Sequence, residues 1–123
     1  MTMNLQDIKK FCSTKKGVSE KFPFDEKTLV IYVGSKMFLL TNIKATVLTI
    51  SLKCDPMMSN DLRQDYKSIQ PGYHLNKKHW NTITLGEELS EDQIKFFIDM
   101  SYNLVINNLK KSEKLAIEAS ERK

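Results

Sequence analysis

Two short apolar runs, residues 28–33 and 36–41, are separated only by Gly34-Ser35. That spacing constrains the fold more than any other feature of the chain. Runs of six residues are too short for stable helices, and β-branched and aromatic side chains are common in the first. A two-residue link that begins with glycine is a hairpin turn. The spacing therefore predicts two antiparallel strands. Residues 42–45 turn the chain again, and 46–53 alternate, with Leu48, Ile50 and Leu52 pointing one way and Val47, Thr49 and Ser51 the other. A third antiparallel strand follows, and the three form a meander.

A sheet with one apolar face needs a cover for it. Asn4 caps a first helix, with Asp7 three residues on and Leu5, Ile8, Phe11 and Cys12 at helical spacing; Lys15, Lys16 and Gly17 stop it. Residues 18–25 read as an extended connection, because Pro23 forbids helix and biases Phe22 to extended geometry. Asp55-Pro56 opens a second helix with Met58, Leu62 and Tyr66 on one face. Residues 69–76 read as non-helical, broken at Pro71-Gly72, and 79–85 as a fourth strand. After a turn at 86–89, Ser90 and Gln93 form a capping box for a long helix whose buried stripe is Ile94, Phe97, Ile98, Ser101, Val105 and Leu109. Lys110 and Lys111 end that helix, and 112–123 read as a weak extension or a disordered tail. The expected fold class is α+β: an antiparallel sheet meander with the N- and C-terminal helices packed on one face. Residues 1–110 make a single domain, 111–123 a charged tail. The second face of the sheet is left to solvent or a partner.

A chain of 123 residues with 41% hydrophobic and 28% charged residues can build a core without metal or disulfides. The net charge is +4, and half of that excess falls in the tail, whose five basic residues (Lys110, Lys111, Lys114, Arg122, Lys123) face three acidic ones. The remaining weak basicity is compatible with nucleic acid without requiring it. Cys12 and Cys54 are far apart in sequence, which fits buried reduced thiols rather than a zinc site or a disulfide scaffold. Gln6, Asp7, Lys9 and Lys10 interrupt every apolar run near the N-terminus, and no run is long enough to span a bilayer. A cytoplasmic monomer without membrane association is expected.

The unusual segment is 71–81, PGYHLNKKHWN, which holds both histidines and the only tryptophan. Its chemistry suits a polyanion. Lys77 and Lys78 can neutralise phosphates, Asn76 and Asn81 can bond phosphate, sugar or base edges, and Tyr73, His74 and Trp80 can stack. The competing reading makes Tyr73 and Trp80 core anchors, with His74 and Asn76 satisfying turn amides. Buried, mutually bonded side chains mean structure; exposed tips mean a contact surface. His74 and His79, five apart and without a nearby Cys or acid, make a poor metal shell. Cys54 lacks a nucleophile elbow or glycine-rich loop. No cofactor, no metal and no catalytic set is expected, so the chain reads as a non-enzyme.

Several stretches together resemble the MmcQ/YjbR family of small bacterial proteins: Phe22-Pro23-Phe24-Asp25, Gly34-Ser35-Lys36-Met37-Phe38, Leu52-Lys53-Cys54-Asp55-Pro56, Leu62-Arg63, the run 71–81, and Ser101-Tyr102-Asn103-Leu104-Val105. They cover roughly residues 3–110 in the family order. Ser35 departs from a glycine common in the family and leaves the hairpin in place. The resemblance implies a fold like bacterial frataxin (CyaY) and like the C-terminal double-wing domain of the phage transcription factor MotA. Through that fold alone it suggests DNA binding. The site residues it carries over are Lys53, Arg63, Tyr73, His74, Asn76, Lys77, Lys78, His79 and Trp80. Frataxins resemble iron-handling proteins with an acidic first helix, whereas here Asp7 stands among Lys9, Lys10, Lys15 and Lys16.

Two readings follow. A DNA-binding or DNA-associated module would bring those polar residues onto one exposed face. A protein- or small-ligand-binding module, non-enzymatic, would use the open sheet face and show an apolar patch or a concave pocket beside Tyr73 and Trp80.

Overall fold

The computed structural model describes residues 3–72 and 75–120. Among the described residues, four helices and six strands run in the order α1 (Leu5–Ser13), β1 (Val18–Lys21), β2 (Thr28–Val33), β3 (Lys36–Asn42), β4 (Thr49–Lys53), α2 (Pro56–Asp65), β5 (Ile69–Pro71), β6 (Trp80–Thr84), α3 (Glu91–Asn107) and α4 (Lys111–Ala119). The strands form one antiparallel sheet in the order β1-β2-β3-β4-β6-β5. The α+β class and the meander expected from the hairpin spacing are present.

Two strands exceed the expected four. The segment read as a connection at 18–25 begins with β1, whose Val18–Lys21 pair antiparallel with β2 from Val33 back to Val30. Pro23 lies just past β1, so it ends the strand without costing a ladder bond. Likewise Ile69–Pro71 pairs with β6 as the short edge strand β5, ending on a proline. The third strand starts at Thr49 rather than 46, and the fourth spans Trp80–Thr84.

The helix ends follow local chemistry. Asn4 with Asp7, and Ser90 with Gln93, close capping boxes, and Asp55 accepts from the amides of Met57 and Met58 ahead of α2. Ile8 and Cys12 of α1 join Ile94, Ile98 and Val105 of α3 against Leu29, Ile31 and Val33 of β2 and Ile50 and Leu52 of β4. Both helices thus cover one face. A bulge in β3 sharpens this packing. Ile31 pairs with Leu39 and Tyr32 with Met37, so Phe38 is the extra residue, and Phe38 and Leu39 both enter the helix-covered core.

Residues 111–119 form a helix of their own. Asn108–Lys110 break from α3, and α4 returns Ile117, which is buried, onto two turns. Those turns hold the two glycines with positive φ, Gly17 (+74°) and Gly34 (+58°). A Cβ at Gly17 would stand 2.9 Å from Ile117 Cγ2. Ser35 Oγ donates to Glu113 Oε1 at 2.9 Å, and Lys16 Nζ donates to the Glu118 carbonyl at 3.2 Å.

Candidate functional site

On the face away from α1 and α3, Val30, Leu40 and Trp80 form a second buried cluster, bordered by Tyr32, Met37 and Leu75. Trp80 is only 7% exposed and lies opposite Lys53 in the β4–β6 register. Strand alternation puts Lys53 on the same face as Thr49 and Ser51.

The loop before β6 is held by its own bonds. The Asn76 carbonyl accepts from the amides of His79 (3.2 Å) and Trp80 (3.0 Å), and Asn76 Oδ1 accepts from the Lys78 amide at 2.9 Å. Lys77 Nζ donates to the Gly72 carbonyl at 3.0 Å. Gly72 donates to the Trp80 carbonyl at 2.8 Å, and a Cβ there would meet Trp80 Cβ at 2.8 Å, which is why glycine occupies the position. Arg63 reaches the same loop from α2. Its Nε donates to Asn81 Oδ1 at 2.7 Å, and its Nη2 donates to the carbonyls of Lys77 and Trp80. Asn81 is buried on the α2 side and its Nδ2 lies 3.4 Å from Ser59 Oγ. The His79 carbonyl accepts from the Cys54 amide at 2.8 Å.

The nine residues singled out from the sequence therefore divide. Arg63, Lys77, the carbonyl and side-chain oxygens of Asn76, and Trp80 take part in a network that fixes the loop against α2 and the sheet. Lys78 is exposed, Lys53 and His79 are half-buried, and Tyr73 and His74 lie outside the described residues. Of the four cations in the set, Lys77 and Lys78 are exposed and Lys53 and Arg63 half-buried.

A groove with a volume of about 480 Å³ lies on the same side of the sheet, where the binding-module reading looks for a concave pocket, but its lining residues were not among those singled out from the sequence. Ligand pockets usually span roughly 300–1,000 Å³. One wall is the loop between β1 and β2, where Phe24 is 65% exposed. Asp25 fixes that loop. Its Oδ1 accepts from the amides of Lys27 (2.9 Å) and Thr28 (2.7 Å), and these two bonds, Thr28 first, hold its carboxyl below the usual carboxylate range. Leu40 and Leu75 continue the groove toward the Trp80 cluster. The floor is hydroxylic: Thr49 and Ser51 rise from β4 and Thr82 from β6, with Ser51 Oγ 2.8 Å from Thr82 Oγ1. Thr41 Oγ1 donates to the Thr49 carbonyl at 2.7 Å. The signal for this floor was the polar half of the β4 alternation. Nothing local announced that the distant loop bearing Phe24 would wall it.

Both thiols are held above the ordinary thiol value. Burial pushes Cys12 up to about 12. Burial also raises Cys54, against a lowering bond from Ser59, and Cys54 lines a small recess of about 10 Å³, room for one water. Among the described residues no group of three His, Cys, Asp or Glu side chains is placed to hold a metal, and no helix is long and apolar enough to cross a membrane.

Comparison with known proteins agrees with the fold. The YjbR family model matches residues 13–104. The chain is 42% identical over 92 residues to the Escherichia coli O157:H7 protein YbdF, covering 75% of each chain. It is 31% identical over 107 residues to YjbR of Escherichia coli K12, covering 87% of this chain and 91% of that one. Among solved structures, Deinococcus radiodurans protein DR2400, with domain DUF419, superposes with a TM-score of 0.89 at 37% identity, over 95% of this chain and 89% of the other. A Pseudomonas syringae protein superposes with a TM-score of 0.72 at 27% identity, over 83% and 98%.

Proposed function

The chain belongs to the YjbR family, and from that premise we propose that it is a non-enzymatic binding module whose ligand enters the groove on the open sheet face. One observation carries this reading: a concavity of about 480 Å³ with an exposed aromatic wall and a hydroxylic floor, adjoining the cluster around Trp80. The elevated thiols favour binding over covalent chemistry. Amide-resolved NMR with a library of small fragments tests it. Binders shift the amides of Thr28, Thr41, Thr49, Ser51 and Thr82 together, and Phe24→Ala weakens them without unfolding the protein. Shifts that leave those five amides unmoved would overturn the reading.

DNA association is the second reading. It is favoured by Lys53, which shares the face of the groove floor, and by the exposed Lys78. Anisotropy of a labelled duplex at two salt concentrations, with Lys53→Ala/Lys78→Ala beside wild type, decides it. Each lysine that neutralises a phosphate directly contributes roughly 0.9 to the salt slope, and its substitution lowers the slope by that amount. No binding at low salt ends this reading.

A further inference from the structure

Resting on the groove as a ligand site, we infer that the ligand class it fits is a neutral, polyhydroxylated ring, that is, a saccharide. Charge disfavours the strongly ionic alternatives. Among the described lining residues the rim holds one ammonium, Lys27, and one carboxylate, Asp25. Asp25 already accepts from two backbone amides, and Thr28 Oγ1 lies 3.4 Å from its second oxygen. A phosphate or carboxylate ligand calls for converging cations, and a cationic ligand for carboxylates with lone pairs to spare. The described lining offers neither.

The polar groups on the floor are of one kind. Thr49, Ser51 and Thr82 project from adjacent strands about 4.8 Å apart. Each hydroxyl can donate or accept, and either member of the Ser51–Thr82 bond can be the donor. Sugar hydroxyls have the same freedom, so a row of hydroxyls matches a polyol in many rotamer combinations. A heterocyclic base instead presents fixed donors and acceptors in its plane, which amides and guanidinium groups read best. Among the described lining residues the one side-chain amide is Asn42, and its Oδ1 already accepts from the Lys44 amide at 2.9 Å, which leaves it a single acceptor lone pair. Phe24 supplies what remains: a flat apolar surface against which the C–H face of a sugar ring buries area. The volume suits one or two pyranose rings.

The test is an amide-resolved NMR titration of the intact protein with maltose, lactose and adenosine in turn, repeated with Phe24→Ala and Ser51→Ala. Both positions are at least partly exposed, so both variants are expected to fold, and the dispersion of their spectra verifies it. Saccharide-induced shifts at Thr49, Ser51 and Thr82, weakened about tenfold or more by Phe24→Ala, support the inference. Adenosine shifting those amides while both sugars leave them still overturns the saccharide assignment and leaves the groove standing as a site. If neither sugar shifts them and the fragment library also fails there, the assignment falls together with the groove.

Discussion

Ser101 Oγ donates to the carbonyl of Phe38 at 2.6 Å, and the same oxygen accepts from the Lys53 amide at 2.9 Å. Phe38 and Lys53 would face each other if the β3–β4 ladder continued past Leu39 and Leu52. The bulge at Phe38 breaks that ladder, and a fully buried hydroxyl from α3 replaces the missing bond. One side chain thereby ties α3 to both strands.

Ser101→Ala removes that bridge and leaves a buried amide and a buried carbonyl unpaired. The expected loss is about 1–3 kcal/mol of unfolding free energy. Urea denaturation measures it, and a loss under about 0.5 kcal/mol would mean that the strands close the gap by themselves.

Arg63→Lys is expected to destabilise by about 1–3 kcal/mol although it keeps the charge, because an ammonium cannot serve Asn81, Lys77 and Trp80 from one planar fork. Denaturation of Arg63→Lys beside Arg63→Ala measures this. If the residue instead acted only as a surface charge, the lysine variant would match wild type in both stability and duplex affinity.

Ile117→Ala uncovers Gly17 and Gly34. Substitutions of this type in a core cost about 2–5 kcal/mol, and a site at the protein edge belongs at the low end. Thermal unfolding of this variant tests whether α4 is an integral part of the domain. An unchanged midpoint would show that the helix adds nothing to it.

Cys12 is expected to resist alkylation in the native protein at neutral pH, since its thiol is buried and pushed up to about 12. Iodoacetamide labelling followed by mass spectrometry should track unfolding by denaturant. Labelling at the rate of a free thiol would contradict the burial of α1 against the sheet.

Asp25 is depressed in the folded state by the Thr28 and Lys27 amides. Its contribution to holding the loop is complete above its ordinary carboxylate value and is lost as pH falls through the lower folded value. Carboxyl-resolved NMR should show that depressed titration, with the Phe24 ring signals moving over the same window. Asp25→Asn retains an acceptor oxygen and should keep the loop at low pH, whereas Asp25→Ala should loosen it at every pH.

Most of the architecture is written in local signals. The Gly34-Ser35 link, the 46–53 alternation, and the caps at Asn4, Asp55 and Ser90 each act within a few residues, where turn geometry and side-chain periodicity suffice. The buried stripe of α3 was legible down to Ser101, but not the reason a serine belongs there, because that reason is a bulge in a strand more than sixty residues away. β1 and β5 were not legible as strands. Each is short and lies at a sheet edge beside a proline, so its pairing depends on a neighbour rather than on its own pattern. The segment 71–81 stood out by composition, yet composition could not assign its polar atoms. Tertiary structure did, by placing Arg63 of α2 within reach of Lys77, Trp80 and Asn81. The groove likewise exists only because folding brings the loop bearing Phe24 over hydroxyls from β4 and β6. Hydrogen-bond partners and concave surfaces are properties of residues distant in the chain, and no local propensity encodes them.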